Sequence, residues 1–523
     1  MNPAVPELVR CLVVEEGGGH AVVLALALVA GGCGSSSSAP PQGDAGTDAG
    51  PPPPAEVTFP AKFLWGTATA AFQVEKGDSH TDWAHWVAIA GKVKNGDLPD
   101  VGGPDALNHE DDDVGALKSS GQNAYRFSIE WARLYPTLAD FTADTPDPAG
   151  IASYDALLTK LQAAGITPVV TLMHFALPDY LDDVTQAAQP QGWEQQMTSD
   201  LFVQYCSRIA KRWGDKIDYW VTLNEPLVNA LLGYLQASYP PGVFFDINRT
   251  LAVVKAEARV HTRAYDAIHA ADTVDADGDG SAALVSIAAH QRTFHPEDPT
   301  SADDVAATQR VEYLWNRWFF NVIVKGDWDD DFDGNVTGPN DKQADPSLKG
   351  RADYLGVNYY SDTLISAHRG IIIPVINAAV QQDHLPTGRP ETDTAWDIYP
   401  EGFGAVLDEA ASYQLPILVT ENGLADRNDE NRPRFLAEHL YQLGWAIQRG
   451  AIVRGYMHWA LMDNFEWISG FCPKFGFFSV DPVTAARTAR PSAALYGRIV
   501  QAGKVSTADI LALPPYAPPT LCN

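Results

Sequence analysis

Eight short runs rich in β-branched and aromatic residues recur along the chain, each apolar at its start and polar at its end. They lie at 62–70 (KFLWGTATA), 124–131 (AYRFSIEW), 167–175 (TPVVTLMHF), 219–226 (YWVTLNEP), 284–290 (LVSIAAH), 354–360 (YLGVNYY), 416–423 (PILVTENG) and 453–461 (VRGYMHWAL). A run that is almost continuously apolar suits a parallel strand covered on both faces. Helical patterns separate the runs. In one of them Leu201, Phe202, Tyr205, Cys206, Ile209 and Trp213 recur at spacings of three and four, which puts an apolar stripe on one helix face. Length alone would suggest about three domains, but eight consecutive βα units predict one α/β domain, a single (β/α)8 TIM barrel with long βα loops. That fold builds its ligand site at the C-terminal strand ends. There this sequence places His174, Asn224, Glu225, Asn358, Glu421 and Trp459.

Glu225 sits in 222–226 (TLNEP) and Glu421 in 419–423 (VTENG). They are far apart in sequence, but the ends of the fourth and seventh strands of a barrel face each other across its mouth. Two carboxyl groups facing one cavity are the minimum apparatus for cleaving a glycosidic bond. One is protonated to donate to the leaving oxygen, and the other is ionised to stabilise or capture the oxocarbenium-like sugar. The charge on one raises the pKa of the other and so keeps it a donor near neutral pH.

Further segments join these two. They include Phe59-Pro60, Phe63-Leu64-Trp65-Gly66, Gln73 and Glu75, then Tyr125-Arg126-Phe127-Ser128-Ile129 with Trp131, Arg133 and Pro136. Thr171-Leu172-Met173-His174-Phe175, Asn358-Tyr359-Tyr360 and Asp463-Asn464-Phe465-Glu466-Trp467 follow. With both glutamate motifs, in order, over residues 57–500, the chain resembles glycoside hydrolase family 1, the β-glucosidase and β-glycosidase family. The resemblance implies a retaining β-glycosidase of β-glucosidase type, acting on terminal non-reducing β-D-glycosyl residues through a covalent glycosyl-enzyme. Glu421 would be the nucleophile and Glu225 the acid that becomes the base, about 5–5.5 Å apart. Arg126 and Tyr360 would support the nucleophile. Gln73, His174, Asn224, Asn358, Glu466 and Trp467 would bind sugar hydroxyls, and Trp459 would form the platform under the ring. Relatives that cleave 6-phosphorylated sugars replace the glutamate at position 466, so its presence implies unphosphorylated glycosides. Phe175, Ala176, Phe471, Cys472 and Pro473 depart from the usual family residues, on the side expected to meet the leaving group. Glu130 lies an even number of positions from Arg126, so the two could share a strand face; Glu130 is read as a structural partner at the strand end.

The competing readings are a catalytically idle sugar-binding lipoprotein on the same barrel, which retention of both glutamates opposes, and transglycosylation by the same residues. With 36 basic and 66 acidic residues the chain carries a net charge of −30. That field disfavours nucleic acid and anionic lipid and suits a neutral β-glycoside or oligosaccharide.

Residues 1–32 read as a lipoprotein-like signal peptide whose apolar core, 21–30 (AVVLALALVA), is too short to span a bilayer. Cys33 would be lipidated and supply the only membrane contact; a plain cleaved secretory signal is the alternative. Residues 33–56 form a flexible Ser/Pro/Gly/Asp-rich linker, 57–506 the glycosidase domain and 507–523 a Pro-rich tail lying along the surface. The expected location is therefore extracytoplasmic. Cys206, Cys472 and Cys522 remain, and spacing leaves a Cys472–Cys522 bridge open. The family chemistry needs no cofactor. Two loops, Asp275, Asp277, Asp279 and Asp329, Asp331, Asp333, each followed by glycine, have the first half of a Ca²⁺-binding loop and could hold a structural ion. The closing glutamate is missing, since Ser286 and Asn340 stand at position twelve.

Overall fold

A computed structural model describes residues 52–370, 373, 379–380 and 388–522. The expected leader, Cys33 and the linker as far as residue 51 lie outside the described residues. Eight parallel strands close on themselves: β1 (Leu64–Ala68), β2 (Ala124–Ser128), β3 (Thr167–Met173), β4 (Tyr219–Asn224), β5 (Leu284–Pro296), β6 (Leu355–Ser366), β7 (Ile417–Asn422) and β8 (Val453–Trp459). Each pairs with the next, and β8 returns to pair with β1. Closure removes both sheet edges, and the interior-facing Arg126, Asn224, Asn358 and Glu421 of these strands are buried.

The period-2 alternation of the strands divides the interior into two layers. Val169, Val221, Leu418 and Met457 belong to one apolar cluster drawn mostly from the strands. Their neighbours Val170, Trp220, Val419 and Tyr456 join a second cluster, which contains the helix residues Phe202, Ile209, Val253 and Leu440. The helices follow the strands in turn: α1 (Glu110–Ser119), α2 (Pro148–Ala164), α3 (Gln196–Trp213), α4 (Pro226–Tyr234), α5 (Ile247–Ala271), α6 (Ala302–Glu312), α7 (Pro400–Ala411), α8 (Arg432–Gln448) and α9 (Pro491–Ala502). Helix α2 shows how local chemistry fixes an element. The Asp147 side chain accepts from the Gly150 N–H, Pro148 opens the first turn, and Gly165 ends it at φ 69°. Gly66 is required for another reason: a Cβ there would sit 2.6 Å from the Ala124 carbonyl oxygen on β2.

Two strands run past the expected ends at 290 and 360. β5 and β6 stay paired from Ala288↔Gly356 to Pro296↔Ile365, with a register shift between Gln291 and Thr293. Polar residues such as Gln291 and Arg292 break the apolar pattern there, while the ladder hydrogen bonds carry on. The tail beyond 507 lies along α8, where Tyr516 Oη donates to Glu438 at 2.6 Å and the Ala517 N–H to Asn431 Oδ1 at 2.7 Å. Cys522, near its end, is disulfide-bonded to Cys472, and Cys206 is free and buried in α3. Among the described residues no helix is long and apolar enough to cross a membrane.

Candidate active site

Asn224 ends β4, and Glu225 follows it in the left-handed region at φ 46°. Its N–H donates to the Ala288 carbonyl of β5 at 2.7 Å, and Pro226 opens α4 immediately after. A non-glycine residue in this region costs on the order of 1–3 kcal/mol, a strain that concentrates at functional sites. Glu421 lies within β7, opposite Asn358 of β6, just after a register shift between Val357 and Asn358. Gly423 lets the chain leave β7 against β8, since a Cβ there would collide with the Trp459 carbonyl oxygen.

The two carboxyl groups sit in different hydrogen-bond environments. Glu421 Oε1 accepts from an Arg126 terminal nitrogen at 2.5 Å and Oε2 from the Tyr360 hydroxyl at 2.7 Å. Arg126 is itself wholly buried and fixed by Thr171 Oγ1 at 3.1 Å, the Thr420 carbonyl at 3.1 Å and Asn224 Oδ1 at 2.7 Å. Glu225 Oε1 accepts from the neutral Asn358 amide at 2.8 Å. Burial first, and then the Glu421 charge, push the Glu225 carboxyl up to about 8. One group is therefore held by a cation and a phenol, while the other favours its protonated form around neutral pH. Asn224 Oδ1 also accepts from Asn358 at 3.2 Å, so the two amides and Arg126 link the carboxyl groups into one network.

Both carboxyl groups line a cavity of about 370 Å³, together with His174, Asn224, Tyr360, Trp459, Glu466 and Trp467. The His174 ring lies near-parallel to Trp459, at 5.8 Å and 22°, and to Trp467, at 6.1 Å and 14°. Burial, and then the charge of Arg126, hold His174 well below its usual pKa, so the imidazole is neutral. Its Nε2 meets the Asn224 amide at 3.2 Å, while Nδ1 is buried and unpartnered. Gln73 Nε2 reaches Asn464, the Phe465 carbonyl and Glu466 Oε2, leaving Gln73 Oε1 buried without a partner. Trp459 Nε1 donates to Glu466 Oε1 at 3.1 Å. Burial raises the Glu466 carboxyl to about 8, and the Glu421 charge adds to the rise. Orphaned buried atoms such as Gln73 Oε1 and His174 Nδ1 are costly unless a ligand group meets them, and sugar hydroxyls can do so.

Asn358, expected to bind substrate, is wholly buried and has its amide committed to Glu225 and Asn224, while its Oδ1 accepts from Thr420 at 2.6 Å. It positions other side chains and is not part of the cavity wall. Glu130 does not meet Arg126, because β2 ends at Ser128 and Glu130 instead starts a short helix at Trp131. Burial and Glu75 hold its carboxyl up at about 8. Phe175 and Pro473 line the cavity; Cys472 is tied back by its disulfide, and Phe471 packs on Phe465 at 5.6 Å.

The acidic loops gather differently from their sequence pattern. Asp275 and Asp277 group with Asp218, and Asp329 and Asp331 with Asp341. Asp279 falls outside the first group, since its Oδ1 accepts from the Ser281 N–H and its Oδ2 lies 3.7 Å from Arg454. Asp333 falls outside the second, where its Oδ1 caps the Asn335 N–H at 2.7 Å.

The sequence reading missed Tyr239, His290, Arg292, Trp315, Trp396 and Phe475 on the cavity wall. His290 and Arg292 sit where β5 overruns its expected end. Trp315 lies in an aromatic-dense run, 313–320 (YLWNRWFF), and Trp396 in a loop, both outside the barrel strands, where no local pattern separates them from core residues.

The model of the glycosyl hydrolase family 1 matches residues 55–505. A β-galactosidase of Pyrococcus woesei is 34% identical over 501 residues, covering 84% of this chain and 97% of the relative. β-Glucosidase A of Thermotoga maritima is 31% identical over 464 residues, covering 85% and 98%. The solved structure of a Thermotoga maritima β-glucosidase in complex with glucoimidazole superposes with a TM-score of 0.74 at 30% identity, covering 85% of this chain and 99% of that one.

Proposed function

The chain belongs to glycosyl hydrolase family 1 and is a retaining β-glycosidase, and on that premise we propose that Glu421 is its nucleophile and Glu225 its acid and base, acting on terminal β-linked glucose or galactose. The observation that carries this reading is the contrast between a glutamate clamped by Arg126 and Tyr360 and one that burial keeps protonated. In the first displacement Glu421 attacks the anomeric carbon as Glu225 gives its proton to the departing glycosidic oxygen. The glycosyl ester then forms on Glu421, and its charge is lost. Glu225, now ionised, takes a proton from water, which attacks the same carbon from the face the leaving group vacated; the bond to Glu421 breaks, and Glu421 leaves as the carboxylate while Glu225 is again the acid. Two inversions give retention.

Asn224 is placed beside both catalytic groups and offers its amide to the sugar 2-hydroxyl, a contact that strengthens in the transition state. Gln73 Oε1 accepts from a further hydroxyl and His174 Nδ1–H donates to one, Glu466 accepts from the hydroxyls farthest from the leaving group, and Trp459 and Trp467 supply apolar faces. A Gln73 and Glu466 pair can hold either epimer at the 4-position. The relatives, named β-galactosidase and β-glucosidase A, fit a substrate range that includes both sugars. The net charge of −30 disfavours 6-phosphorylated glycosides, and Glu466 offers a phosphate a carboxyl group held by Trp459 and Gln73 in place of a cation. Turnover is tested with a panel of aryl β-glycosides. Nitrophenol release from the β-glucoside should exceed that of Glu421→Ala by at least roughly 10⁴-fold; equal rates would overturn the reading.

We further propose that the enzyme works outside the cytoplasm as a lipoprotein tethered through Cys33. The apolar run at 21–30, the cysteine after Gly31-Gly32 and the leash that follows support this. So does the Cys472–Cys522 bridge, which belongs to an oxidising compartment. Incorporation of labelled fatty acid in wild type and its loss in Cys33→Ala is the expected outcome; incorporation in neither excludes the tether.

A further inference from the structure

The second acidic loop, 329–341, contains an arrangement that the first lacks. Asp329 is wholly buried, and its Oδ2 accepts from the Gly334 N–H at 2.8 Å, yet its Oδ1 is buried with no hydrogen-bond partner. One carboxylate oxygen from each of Asp329, Asp331 and Asp341 lies within 4.8 Å of the other two. Among the described residues no Lys, Arg or His forms an ion pair with these three; Lys255 is engaged by Asp330 at 2.9 Å. Burying an unsatisfied carboxylate oxygen beside two other carboxylates is costly without a cation to share.

We propose that Asp329, Asp331 and Asp341 bind one Ca²⁺ ion. Oxygens bound to a common Ca²⁺ at about 2.3–2.6 Å stand at most about 5 Å apart, which the observed grouping satisfies. The donors are all hard oxygens, and Asp331 faces solvent, leaving room for water to complete the shell. Three carboxylates converging on one point exceed the one or two that Mg²⁺ usually takes and suit the larger, more highly coordinated Ca²⁺ better. Asp341 is one residue beyond position twelve, where a closing ligand is usually sought, so the sequence pattern alone passes it over.

The ion would fasten the loop to the molecule. Phe332 packs on Trp318 at 4.9 Å, Trp328 packs on the same ring at 5.5 Å, and Trp318 Nε1 donates to the Asp329 carbonyl at 2.9 Å. Trp315 of the cavity wall precedes Trp318 by one turn. The other loop offers no such signal. Asp218 and Asp275 accept backbone N–H groups on both oxygens, as Asp341 does from the Asp330 and Gly338 N–H groups, but none of the Asp218, Asp275 and Asp277 oxygens is buried without a partner as Asp329 Oδ1 is.

The full chain, stripped with chelator, is titrated with Tb³⁺ while tryptophan is excited, and then with Ca²⁺. One Tb³⁺ per chain should light up through Trp318 and Trp328 and be displaced by Ca²⁺ at least tenfold more effectively than by Mg²⁺. Saturating Ca²⁺ should raise the melting temperature by on the order of 3 °C. Asp331→Asn, an exposed change that spares the fold, should weaken Ca²⁺ binding at least tenfold, and Asp275→Asn should leave it unchanged. Absence of both the emission and the thermal shift overturns the site. So does an undiminished response in Asp331→Asn, loss of the response in Asp275→Asn, or equal displacement by Mg²⁺.

Discussion

Arg126 and Glu421 meet in the barrel interior through one terminal guanidinium nitrogen at 2.5 Å, while the other terminal nitrogen donates to Asn224 at 2.7 Å. One buried cation therefore aims both the carboxylate proposed to attack and the amide proposed to meet the sugar 2-hydroxyl. A lysine keeps the charge and loses the fork. Arg126→Lys is expected to lower kcat by roughly 10²–10³-fold, about 2.7–4 kcal/mol of barrier. Steady-state kinetics on an aryl β-glucoside, with circular dichroism to verify the fold, checks this; a loss below threefold would remove Arg126 from the mechanism.

The Tyr360 hydroxyl holds the second oxygen of Glu421 at 2.7 Å. Its removal leaves a buried carboxylate oxygen without that donor. Tyr360→Phe should reduce kcat by about 10–10²-fold, in line with one charge-assisted hydrogen bond of roughly 1.5–3 kcal/mol. Measuring kcat and KM separately tests whether the loss falls on kcat, as positioning of the nucleophile requires.

For Glu225 the direction of the pKa shift gives two outcomes. With Glu225 as the proposed acid, kcat/KM should decline on the alkaline side as it loses its proton, and Glu225→Gln should slow poor leaving groups far more than dinitrophenolate. The folded-state pKa is raised above the ordinary 4.5, mainly by burial. Its contribution to stability is therefore full below the unfolded pKa and is lost as pH rises through the folded one. Glu225→Gln should melt higher than wild type, by a margin that grows from pH 5 to pH 8; a constant or shrinking margin would contradict the burial argument.

Glu466 is held by Trp459 and Gln73 on the cavity wall. Glu466→Ser should cut kcat/KM for the unphosphorylated aryl β-glucoside by at least about tenfold. It should also raise the ratio of 6-phosphoglucoside to glucoside turnover by a similar factor. An unchanged ratio would deny Glu466 a part in selecting against phosphate.

The stripe on α3 buries Phe202, Tyr205, Cys206, Ile209 and Trp213 against the barrel. Phe202 lies edge-on to Trp193 at 5.3 Å. Phe202→Ala should lose about 3–5 kcal/mol of stability in denaturant titration while leaving KM of the folded fraction unchanged.

The barrel was legible because a parallel strand buried on both faces writes itself as an apolar run with a polar end. This holds for β4 and β7, whose residues are all buried up to Asn224 and Asn422. The overrun of β5 and β6 was not legible, since backbone pairing continues after Gln291 and Arg292 have broken the apolar pattern. The role of Asn358 was hidden for a different reason: an amide reads the same whether it faces a sugar or holds a glutamate. Three cysteines allow three pairings, and only the fold of the tail beside the loop after Trp467 selects Cys472 with Cys522.

The assignment of Glu421 as the atom donor to a glycosyl ester is the claim on which the mechanism turns. Incubating the enzyme with an activated 2-deoxy-2-fluoro-β-glucoside, which forms the ester but hydrolyses it slowly, and mapping the labelled peptide by mass spectrometry tests it directly. The expected result is one fluoroglucosyl group per chain, attached at Glu421. Label on Glu225 or any other residue, or turnover without any trapped adduct, would contradict it.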